Sequence, residues 1–213
     1  MPLIDFPGYP SDKTKYNTHF ELDCPTLGKI QEETLDWVQT KTNFMNIPLD
    51  NSFWHHIADV DMAKSCPSLI KFMKSINVPL REITIGVLTE SMSKSGLMLH
   101  MDVPPINIKV NFPILNTEDV YTEWYDIPVA DLDAIGIREN SASPGTYVYA
   151  LEKLHGTVKE TYPCLTSYNM QDHPIVFNSW FPHRVMPGPA TKYPRIMIAT
   201  MTIVEPYHFL EKK

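Results

Sequence analysis

No stretch of this chain approaches the roughly 20 apolar residues that a bilayer-spanning helix needs, so no transmembrane span is expected. Cysteine is scarce: Cys24, Cys66 and Cys164 stand far apart, in odd number and without paired spacing. That pattern fits reduced thiols in a cytosolic compartment and argues against a disulfide framework. Positive charge is in deficit, with 18 Lys and Arg against 25 Asp and Glu for a formal net charge of −7. Electrostatics therefore argue against a nucleic-acid backbone as the main partner. There are no internal repeats and no low-complexity segments, which excludes solenoids and long disordered tracts. Asp5, Pro7, Gly8, Pro10 and Asp12 interrupt any apolar run near the N-terminus, so no signal peptide is expected and the location is read as cytoplasmic.

The 213 residues, 43% of them apolar and 20% charged, suffice for one domain with a substantial core. The 19 prolines imply many loop corners. Residues 1 to about 25 read as irregular. Leu27, Ile30, Thr34, Leu35 and Val38 recur at helical spacing, with Thr26 in front as N-cap. A second helix is expected over Ser65 to Ile76, capped by Ser65 and opened by Pro67, with Leu69, Ile70, Phe72, Met73 and Ile76 on its apolar face. From about residue 81 the period changes to two. Strands are expected over 81–90, 97–103, 106–115, 121–127, 146–151, 174–180, 182–186 and 195–204. Ile106, Ile108, Val110, Phe112 and Ile114 share one face of the third, and Asn107, Lys109 and Asn111 the other. The expectation is an α+β single domain over 1–213. Residues 1–80 are expected to be helical and irregular. Residues 81–205 are expected to form a double-stranded β-helix (a cupin-like jelly roll) with the N-terminal helices packed on one sheet.

Within this pattern lies His100-Met101-Asp102. On a strand, positions i and i+2 point the same way, so both side chains can grip one ion. His183, opening a later strand, completes a two-histidine, one-carboxylate set, which leaves metal positions open and favours non-haem Fe(II). Arg195 begins the final strand, one hairpin after His183, and is expected beside it with its guanidinium fork free for a carboxylate.

This order, His100-x-Asp102, then His183, then Arg195, resembles the 2-oxoglutarate and Fe(II)-dependent dioxygenase superfamily. The segment Asn111-Phe112-Pro113-Ile114-Leu115-Asn116, followed by Tyr121-Thr122-Glu123-Trp124-Tyr125, resembles small phage-type members. The region from Phe177 to Ile203 resembles the aspartyl/asparaginyl β-hydroxylase-like branch. The resemblance covers roughly residues 81 to 204. The separation of 81 residues from Asp102 to His183 is longer than in many compact members, and an insertion around 126–143 would account for it. It implies a metal centre of His100, Asp102 and His183 binding Fe(II). Arg195 would hold the far carboxylate of the cosubstrate 2-oxoglutarate, with Asn111 a weaker cosubstrate contact and Lys109 a weaker one still. No catalytic residue separate from the metal ligands is required. The product chemistry would be hydroxylation of a substrate with release of succinate, in the cytoplasm of a cell or of a phage-infected host. The substrate class, a small molecule or a peptide, is not fixed by the residues, and the aromatic content allows a homodimer.

Plainer readings stand beside these. His173 competes with His183 as the distal ligand, but its place before Pro174 suits a loop. Arg184, pointing opposite to His183, is expected as a surface charge. His55, His56, Asp59 and Asp61 read as loop polar residues. Trp124 and Tyr125 suit either packing or a substrate mouth. The alternative function is a cupin-like protein that binds a metal or small ligand without catalysis, or that catalyses without 2-oxoglutarate.

Overall fold

The computed structural model describes residues 12–41, 53–92, 97–103, 108–139 and 147–213, without the side chains of 40–41, 53–60, 92, 103, 147 and 150. The fold is mixed α+β, with antiparallel pairing throughout two sheets of six strands each. The strands are β1 (His19–Glu21), β2 (Phe53–Ala58), β3 (Leu80–Leu88), β4 (Leu97–Val103), β5 (Ile108–Leu115), β6 (Val120–Tyr125), β7 (Ile137–Glu139), β8 (Tyr147–Ala150), β9 (Cys164–Asn169), β10 (Ile175–Asn178), β11 (His183–Pro187) and β12 (Arg195–Thr202). One sheet runs β1-β10-β5-β12-β3-β2 and the other β7-β8-β4-β11-β6-β9. The helices are α1 (Leu27–Lys41), α2 (Asp59–Ser65), α3 (Pro67–Ser75), α4 (Val129–Ile135) and α5 (Val158–Thr161). Among the described residues no helix is long and apolar enough to cross a membrane.

The helices follow their apolar spacing. Ile30, Thr34, Trp37 and Val38 of α1 and Leu69, Phe72 and Met73 of α3 are buried. They pack with Ile83, Ile85 and Val87 of β3, with Val110 and Phe112 of β5 and with Ile196 and Ile198 of β12. The N-terminal helices thus cover one face of the first sheet. The N-cap of α3 is Cys66 rather than Ser65, and it makes no side-chain cap bond. The Glu33 carboxylate of α1 supplies the cap instead, accepting from the Ser68 N–H at 3.0 Å and its hydroxyl at 2.9 Å. At the other end, Asn77 takes φ 57°. Its N–H bonds the Lys74 carbonyl at 3.1 Å and that of Val78 the Met73 carbonyl at 3.0 Å, the reversal that closes many helices. The outer face of the second sheet is covered by Leu132 of α4 and Val158 of α5, packed on Leu99, Met101, Tyr125 and Tyr149.

Alternation then decides what faces the other sheet. With Ile108, Val110, Phe112 and Ile114 turned to the helices, Lys109 and Asn111 face inward, as the sequence parity predicts. By the same argument Arg195 and Met197 face inward from β12, opposite in parity to Ile196 and Ile198. The inner faces meet: the rings of Trp124 on β6 and Phe177 on β10 lie 5.0 Å apart.

Several elements depart from the sequence reading. β1, β2, β7 and β9 are additional strands, and α2, α4 and α5 additional helices. β2 is read as mixed because Phe53-Trp54-His55-His56-Ile57-Ala58 does not alternate. Its backbone nonetheless pairs with β3 from Phe53↔Val87 to Ala58↔Glu82. The start of the chain up to residue 11 lies outside the described residues, as do the side chains of His55, His56 and Asp59, while Asp61 is exposed.

Phe112 is fully buried and meets Phe72 edge-on at 5.9 Å. Phe112→Ala should lower stability by about 3–5 kcal/mol, read as a drop in the urea midpoint with an unchanged slope.

Candidate metal centre

β4 and β11 are hydrogen-bonded neighbours, and His100 is the register partner of His183. Their rings lie 4.3 Å apart, edge to face. Asp102, two residues along β4, points the same way. One ligand atom from each of His100, Asp102 and His183 lies within 4.8 Å of the others. The three expected ligands therefore converge. The competing His173 is exposed in a bend before β10.

Each imidazole is held from behind. The His100 Nδ1–H donates to the Met98 carbonyl at 2.8 Å and that of His183 to the Phe181 carbonyl at 2.9 Å. A carbonyl only accepts, so both Nδ1 atoms carry protons, and Nε2 is the nitrogen each ring can offer to an ion. Burial and then the neighbouring His100 push His183 down to about 3, so it is neutral near pH 7. Burial alone would raise Asp102, but Lys109, His100 and His183 outweigh it and hold the carboxyl at about 2. The Lys109 ammonium crosses from β5 to reach Asp102 Oδ2 at 2.6 Å. Lys109, a weaker cosubstrate candidate from parity alone, is thus the partner of the Asp102 carboxylate. Phe177 packs edge-on to His183 at 4.7 Å, and Trp124, register partner of His183, is fully buried on the same side. Trp124 therefore packs inward, while Tyr125 lies in the outer core.

Arg195 departs from its expected placement. A short connection suggested a β11–β12 hairpin, but the two strands lie in different sheets, β11 between β4 and β6 and β12 between β3 and β5. Arg195 pairs with Leu88, not across from His183. The connection is pinned at Gly188, whose N–H donates to the Asp119 carbonyl at 2.7 Å. A Cβ there would lie 2.3 Å from an Asp119 carboxylate oxygen. From β12 the guanidinium points inward and is 3% exposed. Its Nη1 donates to the Met197 sulfur at 3.4 Å, and its Nε has no hydrogen-bond partner among the described residues. Among the described residues no carboxylate pairs with it. Burial lowers it to about 10, so it remains charged. Among the described residues the Asn111 side-chain oxygen and the Tyr193 hydroxyl are also buried without a hydrogen-bond partner.

Arg184 points away from His183, as expected, but it is buried rather than a surface charge. Its Nε donates to Glu123 at 2.8 Å, a second nitrogen donates to the His155 carbonyl, and its guanidinium lies over the Tyr125 ring. Glu123 also accepts from the Tyr125 hydroxyl at 2.6 Å and pairs with Lys159 at 2.5 Å. Burial would raise Glu123, but the bonds from Lys159, Tyr125 and Arg184 hold it below its ordinary value. Sequence reasoning missed this group, because a Glu in a strand shows no partner until the sheet is assembled. Its one signal is position, between Thr122 and Trp124 in an otherwise apolar and aromatic strand. The cysteines are free thiols, and burial pushes Cys66 up to about 11.

No protein-family model matches the chain, and no curated protein matches it.

Two outcomes follow. His183→Ala should abolish tight Co(II) binding, whereas His173→Ala should leave it unchanged, measured by titration of the visible cobalt bands. Because Glu123 is depressed in the fold, its contribution to stability is complete above its ordinary value of 4.5 and is lost as pH falls through the lower folded value. Glu123→Gln should therefore cost about 3–5 kcal/mol at pH 7 by leaving Arg184 buried without its carboxylate. It should also flatten the acid limb of the stability–pH curve, followed by thermal unfolding.

Proposed function

We propose that this chain is a non-haem Fe(II)- and 2-oxoglutarate-dependent dioxygenase that hydroxylates an organic substrate, built on a jelly roll. The strand order supports the architecture. Counting β3, β4, β5, β6, β9, β10, β11 and β12 as first to eighth, the sheets contain the orders 1-8-3-6 and 2-7-4-5. Strands then alternate between sheets except at the fourth and fifth, as in an eight-stranded double-sheet roll. The ligands lie on the second and seventh strands, which are neighbours.

The donor set fits a divalent first-row ion. It offers two imidazoles, each with Nδ1–H held by a carbonyl and Nε2 left for an ion, and one ionised carboxylate, all on one side, which leaves room for further ligands. His100, Asp102 and His183 would hold the iron, which when bound supplies oxygen activation coupled to decarboxylation of the cosubstrate to succinate and carbon dioxide. The chain's own contribution is positional. The two backbone carbonyls hold the imidazole tautomers, and Lys109 keeps Asp102 ionised. Trp124 and Phe177 exclude water from the His183 side. Arg195 offers a bidentate fork to the far carboxylate of 2-oxoglutarate, and Asn111, whose side-chain oxygen is unpartnered, lies on the same inner face.

The observation that carries this reading is Arg195. A buried guanidinium with a free Nε and no carboxylate partner among the described residues is costly unless an anion joins it. A metal protein of this architecture that did not bind an anionic cosubstrate would have no use for that charge. Anaerobic addition of Fe(II) and 2-oxoglutarate should give the weak visible charge-transfer band of the chelate, and under air the protein should form succinate. Arg195→Met should keep the metal but lower affinity for 2-oxoglutarate by at least about tenfold, the loss expected for a charge-assisted bidentate pair. Unchanged 2-oxoglutarate affinity in that variant would leave a cupin-like metal protein as the better description.

A further inference from the structure

We propose that His155 is a positioning residue for the metal ligand His100, acting through the peptide group between Met98 and Leu99. The inference rests on the metal-centre reading above and concerns a residue outside the ligand set.

The carbonyl of Met98 and the N–H of Leu99 belong to one planar amide and point in opposite directions. The carbonyl accepts from His100 Nδ1 at 2.8 Å. The N–H donates to His155 Nδ1 at 3.1 Å. One amide is therefore held at both ends by imidazoles, one of which is a metal ligand. Hydrogen bonds in series through an amide polarise and stiffen one another. Because His155 Nδ1 accepts, the ring is neutral with its proton on Nε2.

The strands do not fix this amide by themselves. β8 ends at Ala150, and Leu151 makes a last bond to the Leu99 carbonyl at 3.1 Å before the chain enters a 3-10 turn at Glu152–Leu154. Among the described residues no strand residue accepts from the Leu99 N–H, and His155 Nδ1 stands in for one. On the opposite edge β4 is irregular. His183 pairs with His100 but Val185 pairs with Leu97, so β4 has one residue more than β11 over this stretch. Such bulges re-aim side chains and need outside support. His155 gives that support and is itself tied to β11, since its carbonyl accepts from Arg184, the residue after His183, which Glu123 anchors. The orientation of His100 against His183 thus passes through His155.

The test compares wild type with His155→Asn, His155→Gln and His155→Leu. The Asn side-chain oxygen occupies the place of Nδ1, whereas the Gln amide reaches beyond it. Co(II) titration should give an affinity within about threefold of wild type for Asn. Gln and Leu should be weaker by about tenfold or more, the range for groups that orient metal ligands. Thermal unfolding of the metal-free proteins should be similar for Asn and Gln. Equal Co(II) affinity in all folded variants, or a loss in Asn as large as in Gln, overturns the proposal. If the Leu variant does not fold, the Asn and Gln pair decides. Ring 15N shifts of His100 without any ion provide a second readout. A single Nδ1–H tautomer in wild type and Asn, but mixed tautomers in Gln, supports the role, and one unchanged tautomer in all three overturns it. A wild type that binds no Co(II) refutes the metal centre instead, and the nitrogen shifts still judge the coupling.

Discussion

The pairing of β4 with β11 is the constraint on which the rest of the site depends. It sets His100 beside His183 and, through the two-residue repeat of a strand, brings Asp102 to the same side. Once those three groups are drawn together between two sheets, their surroundings are dictated by electrostatics. A buried carboxylate must be compensated, and Lys109 reaches across from the facing sheet to do so. The two Nδ1–H groups need acceptors, and two backbone carbonyls provide them. One ligand atom of each ring and one of Asp102 are thereby brought within 4.8 Å of one another.

The same alternation that fills the inner face organises the outer one. Arg184 follows His183 and is turned the other way, where it meets Glu123, Tyr125 and the His155 carbonyl. Truncation of either member of such a buried pair leaves its partner uncompensated. The outer group therefore bears on the inner one without touching it, since it ties β11 to β6 and to the segment behind β4. A similar economy appears at Arg195. The first sheet turns its apolar side chains to the helices, and the residues between them, Arg195, Asn111 and Lys109, line the space between the sheets.

Much of this was legible in the sequence, for identifiable reasons. His100-x-Asp102 lies in a strand whose flanking residues are apolar, and the clean alternation of Ile108 to Ile114 fixes the inward direction of Lys109 and Asn111. Local patterns of this kind survive folding unchanged. What depends on distant partners was not legible. Arg184 was expected as a surface charge because it points opposite to His183, and its partner Glu123 comes beside it only when β6 pairs with β11. The short run from β11 to β12 suggested a hairpin, because chain length alone does not reveal that consecutive strands here pass from one sheet to the other. β9 was missed because most of its residues are exposed or half-exposed and its apolar content is low. His155 sits in a turn without periodicity, and its role exists only through the backbone of Leu99.

The two histidines that meet across β4 and β11 are separated by about eighty residues of chain. Contacts that close so large a loop are late and entropically expensive events in folding. The meeting of His100 and His183 therefore reports that the strands between them have found their places, and neither half of the chain could assemble the centre alone. An ion gripping both sides would act as a crosslink over that loop, favouring the finished topology over every partly threaded alternative.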